Sequence, residues 1–392
     1  MSLHILPTKL SGTVIVPPSK SLLHRGLICS ALSGGQCFVP KNPSDDIKAT
    51  QLCLLGLAKG EPLLDCGESG TTLRLMVPLA AALGLPICFG GSGRLPTRPM
   101  SELAEAFKDN GVELVMPGAE GVYLPLLVKG KLKPGTYKIS GNVSSQYISG
   151  LLLALPLLSG PSDIVLTTPL ESASYVELTL DVMRHFGVEV ERTETGFHIA
   201  GSSRYTATAP FITEADCSQA AFWQLANYIG NEITISNLPR NTNQGDGVFA
   251  AILEQAYRGE GDRHIDARDI PDIVPALAAA AVFRNGDTYL ENIGRLRLKE
   301  SDRIESTLAM LRAFSVEVDC TDDSIIVYGS GMNTTLTPCG KVDGAKDHRI
   351  VMTAAILATR AANEVVLTDE FAINKSYPNF FEDYVAFGGI LQ

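Results

Sequence analysis

Basic side chains recur in this chain at the openings of apolar helices, where an ordinary helix prefers acids. Pro17-Pro18-Ser19-Lys20-Ser21-Leu22-Leu23-His24-Arg25 stops a strand with two prolines and offers Ser19 as an N-cap. It then sets Lys20 in the first turn, with Ser21 and Arg25 on one face at i, i+4. Positive charge there opposes the helix dipole, so the stretch suits an anion that both dipole and cations attract. Gly67-Glu68-Ser69-Gly70-Thr71-Thr72-Leu73-Arg74 has glycines that let a ligand approach the backbone, with Thr71 as the expected cap. It lacks the Gly-Lys-Ser/Thr ending of a P-loop. Arg98 precedes Pro99, which holds it extended. Lys299-Glu300-Ser301-Asp302-Arg303 opens a helix whose apolar stripe starts at Ile304, and Asp347-His348-Arg349 opens another, capped by Asp347. Lys375-Ser376-Tyr377-Pro378 adds a further cation. Any one of these is an ordinary solvated helix face or turn. Together they predict cations gathered from distant loops around small anionic substrates.

The elements that must position these cations repeat. An amphipathic helix, a short V-E-V or V-E-L strand, a turn and a second strand occur at Lys108 to Val128, His185 to Ala200 and Ala313 to Tyr328. The preceding helices space apolar residues at i, i+4, i+7, as in Ile304, Leu308 and Leu311. The pattern predicts an α/β protein of similar modules and not a doubly wound parallel sheet. The Thr- and Ala-rich stretch Ser202 to Glu214 is the expected crossover between halves.

A length of 392 residues predicts two domains. A formal net charge of −11 argues against nucleic acid and anionic membranes as partners, though a local cation cluster can still hold a phosphate. No apolar run reaches the roughly 18 residues of a membrane helix, and the N-terminus does not read as a signal peptide, so a cytoplasmic protein is expected. The eight cysteines form no C-x-x-C pair and lie near no paired histidines. They read as small buried thiols, with no metal site.

In their order, these stretches resemble the enolpyruvyl transferases, above all the branch that acts on shikimate 3-phosphate. The match runs from about Lys9 to Phe387. It is carried by S-K-S-x-x-x-R at Ser19 to Arg25, G-T-x-x-R at Gly70 to Arg74, the R-P of Arg98, S-S-Q at Ser144 to Gln146 and S-x-x-Y at Ser172 to Tyr175. It continues with the P-D of Asp272, K-E-S-D-R at Lys299 to Arg303, D-H-R at Asp347 to Arg349 and K-S-Y-P at Lys375 to Pro378. The resemblance implies an inside-out α/β barrel fold of two domains, each of three helix-and-sheet modules, with the active site in the interdomain cleft. It implies one discontinuous domain of residues 1–12 with 216–392, and a second of residues 13–215. It implies phosphoenolpyruvate (PEP) and shikimate 3-phosphate as substrates, no cofactor, a monomer, and inhibition by glyphosate in competition with PEP.

By motif position, the resemblance assigns Lys20, Ser21, Arg25, Ser144, Ser145, Gln146, Ser172, Asp272 and Lys299 to shikimate 3-phosphate. It assigns Lys20, Gly70, Arg98, Gln146, Arg303, Arg349 and Lys375 to PEP. Lys20, Asp272 and Glu300 are the expected catalytic residues. Asp272 is the expected base for the attacking hydroxyl; Glu300, with Lys375 as rival, is the group expected to move the methylene proton. His348 is expected to orient its neighbours. Two departures stand out: Glu68 and Ser69 replace the family's usual Asn and Ala, and Arg295 replaces an Asn often found before the motif lysine. Glu68 is left outside the expected site, as an acid beside a phosphate is unfavourable. The UDP-N-acetylglucosamine branch usually carries a Cys in the loop before R-P, which Gly90 to Thr97 lacks. A non-catalytic anion binder would have no need of Asp272 and Glu300.

Overall fold

The computed structural model describes residues 2–392. Two compact units emerge, Pro18–Thr213 and a discontinuous one in which Glu214–Gln392 is joined by the segment up to Pro17. The sequence reading puts the breaks after Gly12 and Ala215; they fall after Pro17 and Thr213. The first moves because Ser11–Val14 pairs in parallel with Glu232–Ile235, Gly12 lying opposite Ile233. Asp216 N–H also donates to the Pro17 carbonyl at 2.9 Å.

The continuous unit holds helices α1 (Lys20–Ser33), α2 (Asp45–Lys59), α3 (Gly70–Leu83), α4 (Ser101–Lys108), α5 (Ser145–Ala154) and α6 (Ala173–His185). One sheet runs Leu63–Asp65, Cys88–Gly90, Leu126–Gly130, Val112–Val115. Its first pair is parallel and the next two are antiparallel. The sheet Thr136–Ile139, Ser162–Leu166, Gly196–Ile199, Glu191–Thr193 repeats that pattern. A third, reduced contact is the isolated bridge between Cys37 and Phe211.

The discontinuous unit holds α7 (Cys217–Tyr228), α8 (Phe249–Gln255), α9 (Val274–Ala281), α10 (Arg303–Ala313), α11 (His348–Ala358) and α12 (Phe380–Ala386). Its sheet Arg263–Asp266, Thr288–Glu291, Ser324–Val327, Val318–Cys320 follows the same parallel, antiparallel, antiparallel order. So does Lys341–Val342, Val365–Thr368, Ser2–Leu6, Ile390–Leu391, in which strands from the two ends of the sequence take the places a hairpin fills elsewhere. The sheets are mixed, as expected. In each unit two modules carry a full four-stranded sheet, and the smaller pairings take the place of a third.

The hairpins form at the three expected places, two of them with shifted starts. Val188 and Val316, read as strand residues, instead close the preceding helices. Their N–H groups donate to Met183 O at 2.9 Å and Leu311 O at 3.1 Å across a left-handed residue, Gly187 at φ 77° and Ser315 at φ 60°. That is the six-to-one bond of a helix C-cap, which delays the ladder to Glu191 and Val318.

Helices apolar on every side fill the centre of each unit. In one these are α3 and α5, packed with Leu73, Leu75, Met76, Ile148, Leu151 and Leu152. In the other they are α7, α9 and α11, where Trp223 stacks on Phe380 at 5.1 Å between ring centres. The approach of α5 to α3 requires Gly150, because a Cβ there would sit 2.3 Å from the Arg74 carbonyl oxygen. All eight cysteines are free. Cys29, Cys53, Cys66 and Cys217 are buried as expected, but Cys339 is exposed and Cys37, Cys88 and Cys320 are partly so.

Candidate active-site residues

In the unit Pro18–Thr213, Lys20 opens α1 and Asp46 lies in the first turn of α2, where the dipole favours acids. Lys20 Nζ reaches Asp46 Oδ2 at 2.7 Å, both side chains mostly buried. Ser19 occupies the N-cap position but makes no side-chain cap bond. A chain of hydroxyls ties these helices to α3. His24 Nδ1 meets Thr50 Oγ1 at 2.7 Å, Thr50 meets Thr72 Oγ1 at 2.7 Å, and Thr72 Oγ1 donates to Ser69 Oγ at 2.8 Å. Burial foremost, then Lys20 and Arg25, hold the His24 imidazole well below its ordinary pKa, so it is neutral. The cap of α3 is Ser69, which accepts from Thr72 N–H; Thr71, expected as the cap, is already inside the helix.

Arg25 is turned into the fold. Its Nε donates to Thr179 Oγ1 at 2.6 Å, Nη1 to Ser21 O at 2.7 Å, and Nη2 to Ser149 Oγ and Tyr175 O at 3.1 and 3.0 Å. It fixes α1 against α5 and α6, the helices led by Ser144, Ser145, Gln146 and Ser172. Ser144 caps α5, accepting from Gln146 N–H at 3.3 Å. Arg74 reaches Gln146 Oε1 at 2.8 Å and Pro99 O at 3.2 Å, and lies over the Tyr147 ring. Gln146 Nε2 donates to Thr71 Oγ1 at 2.8 Å. The amide orientation is thereby set, with the remaining Nε2 hydrogen available as a donor. Ser172, at the head of α6, holds φ 53°, ψ 42° while buried, a left-handed conformation uncommon for serine. Gly70 packs on Arg98: a Cβ there would lie 2.5 Å from Nη1 of that arginine. Arg98 is extended before Pro99, as expected. Glu68 folds over Gly93 of the following loop, where a Cβ would meet its carboxyl carbon at 2.4 Å.

In the discontinuous unit, three carboxylates converge on one arginine. Arg303 is 1% exposed. Its Nη1 reaches Asp272 Oδ1 at 2.9 Å, Nη2 reaches Glu300 Oε2 at 2.6 Å, and Nε reaches Asp347 Oδ2 at 3.0 Å. Asp272 Oδ2 also accepts from Arg349 Nη2 at 2.8 Å, and Lys299 Nζ stands 3.7 Å from Oδ1. Burial works to raise the Asp272 pKa, but Arg349, Lys299 and Arg303 together hold it well below the usual carboxylate range. Burial foremost, followed by the opposing pulls of Asp272 and Arg303, brings Lys299 down to about 8. Asp347 caps α11 through Arg349 N–H at 2.9 Å and accepts from Ser301 Oγ at 3.1 Å. His348 is buried, its Nδ1 3.8 Å from Asp347 Oδ1. Lys375 Nζ donates to Lys346 O at 2.8 Å. Lys299 and Glu300 precede α10, which starts at Arg303 with Asp302 as cap, so they stand in a turn and not in a first helical turn. Asp272 caps no helix; Ile273 holds the cap position of α9. Arg295 donates to the Arg268 carbonyl on an exposed surface.

Sequence reasoning passed over Asp46, Asp347 beyond its capping role, the part of Arg74 in orienting Gln146, and Asp246. Asp246 is buried in the turn Gly245–Val248 and accepts from Ser218 Oγ. Burial first, then nearby Asp272, push its pKa from 3.8 up to about 7. The folded protein therefore keeps this proton where the unfolded chain releases it. The associated stability is present below the unfolded value and is lost as pH rises toward about 7. Asp246→Asn should lack that decline: its urea midpoint should change less between pH 4 and 7 than that of the parent protein.

No helix among the described residues is long and apolar enough to cross a membrane, and no group of three metal-ligating side chains occurs among them. Solved structures place the fold among the enolpyruvyl transferases. EPSP synthase from Acinetobacter baumannii superposes with a TM-score of 0.80 at 22% identity, covering 100% of this chain and 99% of that one. The enolpyruvyl transferase NikO from Streptomyces tendae gives 0.71 at 15%, covering 100% and 98%. The model of the EPSP synthase (3-phosphoshikimate 1-carboxyvinyltransferase) family matches residues 56–384. The 3-phosphoshikimate 1-carboxyvinyltransferase of Clostridium kluyveri is 38% identical, over 98% of this chain and 97% of that protein. That of Clostridium botulinum is 37% identical, over 98% and 97%. The chain belongs to the EPSP synthase family.

Proposed function

We propose that this protein transfers the enolpyruvyl group of PEP to the 5-hydroxyl of shikimate 3-phosphate and releases phosphate. The observation that carries the reading is Asp272, a carboxylate gripped by the guanidinium groups of Arg303 and Arg349 beside Lys299. Arginine forks of this kind suit a planar carboxylate or a phosphate. In this reading Asp272 occupies the donors that PEP claims on binding. The incoming anion takes over Arg303 and Arg349, and Asp272 loses two of the three partners that depress its pKa. Its basicity then rises toward the range a general base needs, at the moment the attacking hydroxyl is in place. Binding of one substrate thereby arms the base for the other.

Lys20, Gly70, Arg98, Gln146 and Lys375 complete the PEP set in this assignment. Ser21, Ser144, Ser145, Gln146, Ser172 and Lys299 hold shikimate 3-phosphate, with Arg25 fixing the helices that present them. Protonation of the PEP methylene makes carbon 2 cationic, and the hydroxyl attacks it. The tetrahedral adduct then loses phosphate and a methyl proton. Glu300, held at 2.6 Å by Arg303, and Lys375 are the two groups assigned to the methylene proton.

Phosphate release from PEP that depends on added shikimate 3-phosphate tests the reaction. UDP-N-acetylglucosamine should not replace the acceptor. Folded protein that releases no phosphate with both substrates present would overturn the reading. Gly70→Ala tests one contact. Its Cβ must push the Arg98 guanidinium aside, and weakening a charged hydrogen bond by about 1.5–3 kcal/mol raises the KM for PEP about ten- to a hundredfold. The KM for shikimate 3-phosphate should move far less. Equal changes in both would show that Gly70 does not serve PEP in particular.

A further inference from the structure

Two thiols with no part in that reaction lie directly beneath its glycine-rich loop. Cys53 sits on the inner face of α2, 1% exposed, and Cys66 follows the strand Leu63–Asp65, fully buried. Their sulfurs are 4.0 Å apart, and both cysteines are free. Cys53 Sγ also approaches the Asp65 carbonyl at 3.4 Å, so both side chains are held on the same spot. Cys53 borders an open groove of about 520 Å³ along α2, flanked by Leu52, Leu64 and Gly67 and by the charged Lys48, Asp65 and Glu61. The groove runs past Cys53, itself 1% exposed, so a reagent reaches the nearer sulfur through local opening of α2.

We propose that Cys53 and Cys66 form a dithiol modification site, which low-molecular-weight disulfides convert to an intramolecular Cys53–Cys66 disulfide. The Cys53 thiolate attacks one sulfur of the reagent and expels a thiolate. Cys66 then attacks the Cys53 mixed disulfide and expels the second. Two protein thiols lose their protons and are oxidised, and one reagent disulfide is reduced to two thiols. The order follows from the environments. The hydrogen bond to Cys53, then burial, hold the Cys66 thiol well above its ordinary pKa, and Cys53 is the one of the two that lines the groove. Bond formation brings the sulfurs from 4.0 Å to about 2.05 Å, so α2 and the loop must close by about 2 Å.

That closure reaches the loop carrying Gly70. Cys66 is tied to the sheet by its N–H to Gly90 O at 3.0 Å, and its own carbonyl accepts from Ser69 N–H at 3.0 Å. Ser69 caps α3 and Gly70 starts it, against Arg98. From the other side α2 carries Asp46, the partner of Lys20, and Thr50, bonded to Thr72. Pulling α2 onto the loop therefore shifts Gly70 and Asp46 together, and oxidation should suppress PEP turnover. This last step rests on the proposed function; formation of the bond does not.

Full-length protein is incubated with oxidised glutathione, its remaining thiols are alkylated, and it is digested with trypsin. Cleavage after Lys48, Lys59 and Arg74 places the two cysteines in separate peptides, Ala49–Lys59 and Gly60–Arg74. The expected product is this pair joined by a disulfide. Activity should fall in proportion to the joined fraction and return with dithiothreitol, and Cys53→Ser should form no joined pair and stay active in oxidant. Recovery of both peptides as alkylated thiols, or each bearing glutathione, would overturn the modification site. Complete joining with undiminished turnover would instead overturn the coupling to Gly70. Reduced protein without turnover would strike at the functional reading alone, because the peptide result stands apart from it.

Discussion

Asp272→Asn should lower kcat for shikimate 3-phosphate-dependent PEP consumption by about 10²- to 10⁴-fold, the usual contribution of a positioned general base. The substitution keeps the shape of the side chain and removes its charge. In the parent protein that charge is shared by Arg303 at 2.9 Å, Arg349 at 2.8 Å and Lys299 at 3.7 Å. The variant leaves these cations short of a partner, so PEP should bind it at least as tightly as it binds the parent, with no carboxylate to displace. The split is the diagnostic: kcat collapses while PEP affinity, measured by calorimetry, holds or improves. Asp272→Glu should recover part of the rate. A variant with undiminished kcat would remove Asp272 from the chemistry and leave it a structural counter-ion.

Arg303→Met should destabilise the discontinuous unit by about 3–5 kcal/mol, the range for breaking a buried ion pair by removing one partner. The side chain is 1% exposed and faces Asp272, Glu300 and Asp347, of which Asp347 is fully buried. Methionine fills the volume but takes a cationic partner from all three carboxylates, while Asp272 keeps Arg349 and Lys299. The deficit should shrink in acid. Burial acts to raise the Asp272 and Asp347 pKa values, and the surrounding cations, Arg303 among them, reverse this to hold both depressed. In the parent protein this contributes stability above the unfolded carboxylate range that is lost as pH falls through the folded values. Without Arg303, Asp347 loses the strongest influence that lowers its pKa, and protonation there brings relief instead. Urea titrations at pH 7 and pH 4 check the sign: a deficit that grows toward pH 4 would contradict the assignment. Two compact units also predict that the loss appears in only one unfolding transition.

The repeat was legible because a helix followed by a hairpin leaves two different periodicities in sequence, and three copies make the pattern hard to miss. The strand starts were displaced where Val188 and Val316 serve a helix C-cap, since the six-to-one bond depends on a left-handed residue such as Ser315 that composition does not reveal. The cations of the candidate site were legible because Lys20, Arg303 and Arg349 stand where a helix start disfavours them. Their counter-ions were not. Asp46 and Asp347 occupy first-turn and cap positions that need no further explanation, so a local reading stops there. Arg74 was part of a recognised motif, but its bond to Gln146 joins residues on two helices whose contact depends on Gly150. Arg25 read as a ligand, and its bonds to Ser21, Ser149, Tyr175 and Thr179 give it a scaffolding task that only tertiary structure exposes.

The sheet that joins Ser2–Leu6 to Val365–Thr368 and Ile390–Leu391 sets an order of events during synthesis. Ser2–Leu6 is translated well before Val365–Thr368 and Ile390–Leu391, the strands on either side of it. Pro18–Thr213 emerges whole in between and can close its core while the rest is still being made. For that interval Leu3 and Ile5 have no native sheet to join, and a nascent-chain chaperone would find them there.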